Sequence, residues 1–116
     1  MICVVDERKK AILREYEIIE NRIEMLEKEI KSSGSTAITE TLLNEKSELE
    51  DMCISIDMAI RELPILCQIV VRKCYLGEKV KGQRKRYKIH EVANQMGYSE
   101  RHIQRFATMA IENIKL

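Results

Sequence analysis

Two apolar seams of matched length constrain this chain more than any other feature. Between Ile12 and Ile30 the apolar residues fall at Ile12, Tyr16, Ile19, Ile23, Leu26 and Ile30, in alternating steps of four and three. That is the heptad spacing with which one helix buries a narrow stripe against another. Val5 extends the seam backwards, with Lys9 an exception inside it. A second seam runs through Leu42, Leu49, Cys53, Ile56, Ile60 and Leu63, with Lys46 as its odd member. Between the two, Lys31-Ser32-Ser33-Gly34-Ser35-Thr36 has no periodicity and reads as a turn, with Ser35, Thr36 or Thr39 capping the second helix. Each seam spans on the order of 40 Å as a helix, and a short link between equal helices favours an antiparallel pair. Leu13, Ile18, Ile38, Leu43 and Met52 fall off the seam, leaving a surface for a second copy or for docking the rest of the chain.

Composition agrees with a wholly helical chain. Trp is absent, there is one Pro, and the apolar residues are mainly Ile, Leu, Val and Met. The expected fold class is therefore all-α: an N-terminal antiparallel helical hairpin (a coiled coil) over residues 1–63, then a C-terminal domain over 64–116. Charge divides at the same place. Residues 1–63 hold 15 acidic and 9 basic side chains, whereas 64–116 hold 4 acidic and 11 basic, so a net +1 hides halves of −6 and +7. Such a split directs a polyanion to the second half. No apolar run is long enough for a membrane span. Asp6, Glu7, Arg8, Lys9 and Lys10 interrupt any secretory signal, so the expected compartment is the cytoplasm.

The stretch from Lys88 to Leu116 has the spacing of a helix-turn-helix. Gly97 stands at the corner, where a left-handed backbone costs glycine nothing. Ala93, four residues earlier, is small where two helices must approach, and Val92 and Met96 flank it on the inner face. Tyr98 is expected to tuck into the core and Ser99 to cap the second helix. Ile103 and Phe106 face inward, which leaves Glu100, Arg101, His102, Gln104 and Arg105 pointing out. In a major groove, Arg101, His102, Gln104 and Arg105 would read bases, since Arg pairs bidentately with guanine and Gln with adenine. Ser99 and Thr108 are assigned to backbone phosphate, and Glu100 to the helix N-terminus.

Before this unit, Leu63-Pro64 opens a further helix, whose apolar face is Ile65, Leu66, Ile69, Val70 and Tyr75 and whose end is Leu76-Gly77. The segment from Gly77 to Lys88 then holds six Lys or Arg among twelve residues. As a flexible basic loop it would place Lys79, Lys81, Arg84, Lys85, Arg86 and Lys88 along the phosphate backbone.

Leu63-Pro64, the helix ending at Arg72-Lys73-Cys74-Tyr75-Leu76-Gly77, the run from Ile89 to Arg105, and Ala110-Ile111-Glu112-Asn113-Ile114 together resemble region four of bacterial sigma factors. The resemblance covers about the last 54 residues. A helical first half joined to such a domain is similar to phage and prophage regulators of the ArpU and RinA type. It implies a transcription regulator, a late-gene activator, in the cytoplasm of a bacterial host cell, with double-stranded DNA and RNA polymerase as partners; the homodimer through the hairpin is expected from the off-seam apolar residues. The chain departs from a complete sigma factor in lacking region two, and its basic segment is longer than the sigma-type connection. A small terminase-like DNA-packaging subunit, or a protein-only adaptor to polymerase, are the alternative readings.

Cys3, Cys53, Cys67 and Cys74 lack Cys-x-x-Cys spacing, and His90 and His102 are not at ligand distance from them in sequence, so neither metal nor cofactor is expected. Cys67 and Cys74, seven apart on one helix, are expected to share a face as small core residues, all four thiols being reduced. No nucleophile–base pair or phosphate-cradling glycine loop marks an enzyme.

Overall fold

Both seams become long helices, and the turn between them is as short as their spacing requires. In the computed structural model, which describes residues 4–116 with side chains from Glu7 onward, α1 spans Val4–Ser32 and α2 spans Thr36–Arg61. Val5 and Cys3 therefore lie outside the described side chains. Ser35 caps α2, its hydroxyl accepting from the Ile38 N–H at 3.5 Å. Cross-pairs run antiparallel: Tyr16 with Asp57, Arg22 with Glu45, and Glu27 with Lys46. Every seam residue described is buried or half-buried. The two polar exceptions have partners of their own. Lys46 sits 3.6 Å from Glu27 across the hairpin. Lys9 donates to the carbonyls of Ile111 and Glu112 at 3.0 and 3.2 Å, at the C-terminal end of the last helix, where carbonyl dipoles favour a cation.

Pro64 is the N-cap of α3 (Ile65–Val71), and Gln68 Nε2 donates back to the Leu63 carbonyl at 2.7 Å. The helix continues as a π turn, Arg72–Leu76, and stops at Gly77. Gly77 has φ +83°, and an added Cβ would lie 2.9 Å from the Lys85 carbonyl oxygen, so backbone and space both demand glycine there. α4 (Ile89–Met96) and α5 (Glu100–Asn113) follow, joined by Gly97-Tyr98-Ser99.

Two apolar clusters organise the chain. One joins Leu13, Ile56, Ile60 and Leu63 of the hairpin to Cys67, Val71, Leu76, Ala110, Ile111 and Ile114, so packing crosses the change of composition at residue 63. Leu13, off the narrow seam, is fully buried because it docks the C-terminal half. The other cluster holds α3, α4 and α5 together through Val70, Val92, Ala93, Ile103 and Ala107.

Four expectations need correcting. The basic segment is not a flexible loop: β1 (Glu78–Val80) and β2 (Gln83–Lys85) pair antiparallel around Lys81-Gly82, both with positive φ, as in the hairpin turns that match strand twist. The chain is mostly helical, consistent with the all-α class, and carries one small two-stranded element. Tyr98 does not enter the core. It stays 39% exposed and packs edge-on against Phe106, with ring centroids 5.7 Å apart. Ile65 is exposed, not part of the buried face of α3. Cys67 and Cys74 fall in different clusters, because the underwound π turn carries Cys74 off the face of Cys67. No described helix is long and apolar enough to cross a membrane.

Candidate nucleic-acid interface

The surface of α5 is built from its N-terminal cap outward. Gly97 adopts φ +75°, ψ 26°, and its N–H and that of Tyr98 both donate to the Ala93 carbonyl, at 2.9 and 3.1 Å, closing α4. Ala93 is buried, as a close approach between helices requires. Ser99 then accepts from the His102 backbone N–H at 3.2 Å and sits 2.8 Å from His102 Nδ1. The hydroxyl is thus occupied with capping, so an anion at this end would meet backbone N–H groups instead. At the start of α4 the Lys88 N–H donates to the Glu91 carboxylate at 3.0 Å. That bond is the first cause of the lowered pKa of Glu91, with the cation of Lys85 also helping.

Ile103 and Ala107 anchor α5 to the core, so the periodicity of the helix turns Arg101, His102, Gln104, Arg105 and Thr108 to solvent. Arg101, Arg105 and Thr108, four and three apart, make one row. Thr108 spends its hydroxyl on the Gln104 carbonyl at 3.0 Å. Among the described residues, Arg101 and Arg105 pair with no carboxylate.

Most other cations of this half are paired, and that was not legible in the sequence. Glu17, Glu20 and Glu24 share one face of α1, three and four apart. Arg86 meets Glu17 at 3.2 Å, Arg84 meets Glu20, and Lys79 meets Glu24 at 2.7 Å. The hairpin register makes this possible: Lys79 stands opposite Arg84, and Arg86 follows two residues later on the same face. Arg84 also donates to the carbonyls of Leu76 and Gly77 at 2.9 and 2.8 Å and lies over the Tyr16 ring, leaving its side chain 11% exposed. Arg84 therefore leaves the phosphate-contact set. Lys79 and Arg86 are shared with α1, and Lys85 lies 3.5 Å from Glu91. Lys81 at the hairpin tip and Lys88 at the start of α4 stay exposed and, among the described residues, unpaired.

Beneath the hairpin, Asp57 ties three elements, accepting from the Tyr16 hydroxyl at 3.0 Å and from Arg72 at 3.2 Å. Burial, then the hydrogen bond and charge of Asp57, push Tyr16 up to about 12. The thiols of Cys53, Cys67 and Cys74 are free, and burial raises all three. Sequence reasoning also missed Lys10 and Tyr75, which line a small groove with Gln104, Ala107, Thr108 and Ile111 and so bring the first turns of α1 alongside α5. The heptad pattern places Lys10 outside the seam but says nothing of what lies beside it. Comparison of the chain with protein-family models, with curated proteins and with solved structures gives no match.

Proposed function

We propose that this chain is a sequence-specific double-stranded DNA-binding transcription regulator of the phage or prophage late-gene activator kind, with α4 and α5 as a helix-turn-helix and α5 entering the major groove. One observation carries the reading. Seven of the eleven basic residues after Pro64 are ion-paired within the chain, yet the outward row of α5 keeps both its arginines uncompensated. A merely solvated face would gain nothing from that asymmetry, whereas a base-reading helix needs guanidinium forks free to pair with guanine. Lys81 and Lys88, exposed and without a carboxylate partner among the described residues, supply backbone contacts. Region-four-like contact with RNA polymerase belongs to the same proposal. So does a homodimer through the hairpin, where Ile18, Ile38, Leu43 and Met52 remain exposed after the seams have covered each other.

The test is selection of a duplex from a random pool, followed by titration of single variants. Arg101→Ala or Arg105→Ala costs about 1–3 kcal/mol on the selected site, and much less on random duplex. Equal losses on both would reduce the two arginines to phosphate contacts, and no duplex binding at low salt would sink the reading. Light scattering showing a monomer well above micromolar concentration removes the dimer.

A further inference from the structure

The acidic half of the chain carries a basic end. From Glu7 to Arg14 there is one carboxylate against Arg8, Lys9, Lys10 and Arg14, although residues 1–63 as a whole are strongly negative. Lys9 fixes where that end lies, because its ammonium is bound to the last carbonyls of α5. This holds Lys10 and Arg14 at a set position beside α5 rather than on a free arm. Lys10 lines the groove with Gln104 and Thr108. The Arg14 guanidinium lies 5.8 Å from the ring centroid of Tyr75, which also lines that groove. Among the described residues Arg14 has no carboxylate partner. Lys10 has a loose one, Glu7 at 3.7 Å, itself largely exposed. A third cation joins them, since Arg86 donates to the Arg14 carbonyl at 3.1 Å.

We propose that Lys10 and Arg14 form a phosphate clamp, gripping the backbone of the duplex whose groove α5 enters. The inference rests on the DNA-binding reading above and extends it to residues in the half that net charge would exclude. The geometry suits the backbone rather than the bases. Lys10 sits beside Gln104 and Thr108, further along α5 than Arg101, and Arg14 lies over Tyr75; both belong to α1, at the flank of the helix that reads bases. A sugar-phosphate strand flanking the groove is the anion that passes on that side of an inserted helix. Glu7 is then a competitor for Lys10, held until a phosphate replaces it.

The full chain is titrated by fluorescence anisotropy into its selected duplex and into random duplex, across a KCl series. Lys10→Gln with Arg14→Gln weakens binding to both duplexes alike and flattens the log–log salt slope by about 0.9 for each phosphate no longer neutralised. Base preference is retained. Glu7→Gln, at an exposed position that the fold does not need, tightens binding to both. It decides the matter alone if thermal melting shows that the double variant is unfolded. An unchanged slope in a folded double variant overturns the clamp while the DNA reading stands on Arg101 and Arg105. So does a loss confined to the selected duplex, or a Glu7→Gln protein that binds no more tightly. Absence of any duplex binding by the wild-type chain overturns both.

Discussion

Replacing Arg84 with Ala tests whether the basic hairpin is a fixed part of the fold. The side chain satisfies two carbonyls, of Leu76 and Gly77, pairs with Glu20 and covers the Tyr16 ring. Its removal strips donors from both carbonyls and leaves Glu20 without its counterion. A hydrogen bond involving a charged group contributes about 1.5–3 kcal/mol, and breaking a buried ion pair from one side costs about 3–5 kcal/mol. The Glu20 side chain keeps 29% of its exposure and water can reach the stripped carbonyls, so these terms do not add in full. The expected loss is about 2–4 kcal/mol, which lowers a urea midpoint by about 1–2 M for a chain of this size. Arg84→Lys keeps the charge but not the fork and falls between. Lys79→Ala is the control, because Lys79 and Glu24 are both half exposed and such pairs contribute little. Urea unfolding followed by circular dichroism reads all three. If Arg84→Ala moves the midpoint no further than Lys79→Ala does, Arg84 is not what holds the hairpin to α1 and its removal from the phosphate-contact set is unjustified.

Three smaller predictions follow from single positions. Gly97→Ala meets open space and carries only the left-handed backbone cost of about 1–2 kcal/mol, whereas Gly77→Ala adds a clash with the Lys85 carbonyl and is the more destabilising of the two in thermal melts. Tyr16 keeps its proton in the folded chain to about 12, against an ordinary value of 10.0. Its contribution to stability is therefore complete below pH 10 and is lost as pH rises from about 10 to about 12. Tyr16→Phe abolishes that part of the decline in denaturation midpoints measured across this window. Ser99→Ala removes the α5 cap and costs about 1 kcal/mol, visible as a lower melting temperature with the fold retained.

Much of this architecture was legible because it depends on period and on local backbone rules. The seam from Ile12 to Ile30 needs no knowledge of its partner, since the four-and-three spacing alone defines the buried stripe. Gly97 and Ser99 are similarly local: one residue tolerates positive φ and the other supplies a capping oxygen. The hairpin was missed for the opposite reason. Lys79, Arg84 and Arg86 look like solvated charge in sequence, and Glu17, Glu20 and Glu24 look like the outer face of a coiled coil. The complementarity of the two rows exists only once Gly77 has turned the chain back over α1. Gly82, which adopts positive φ freely, was the available cue, set between two short runs too polar to announce themselves as strands. Tyr98 differs, because Phe106 already packs on the α3–α5 cluster and the tyrosine ring is left to lie edge-on against it, partly in solvent. The candidate base-reading row was placed correctly on the surface, since Ile103 and Ala107 dictate which face of α5 is left over.

Self-neutralisation changes what net charge says about binding. Read as a sum, the half after Pro64 has eleven cations, and if each met a phosphate the log–log salt slope would approach about −10. Within the fold Arg72, Lys73, Lys79, Arg84, Lys85, Arg86 and Lys115 already face carboxylates, and α1 supplies three of those carboxylates. Lys81, Lys88, Arg101 and Arg105 remain, joined by Lys10 and Arg14 from the other half. These six, Lys10 by giving up Glu7, set a slope of about −5, and less where Arg101 and Arg105 spend themselves on bases. An anisotropy titration over a range of KCl measures this directly. A slope well beyond −5 would mean that the hairpin releases Glu17, Glu20 and Glu24 on meeting DNA, so that α1 and the duplex compete for the same cations.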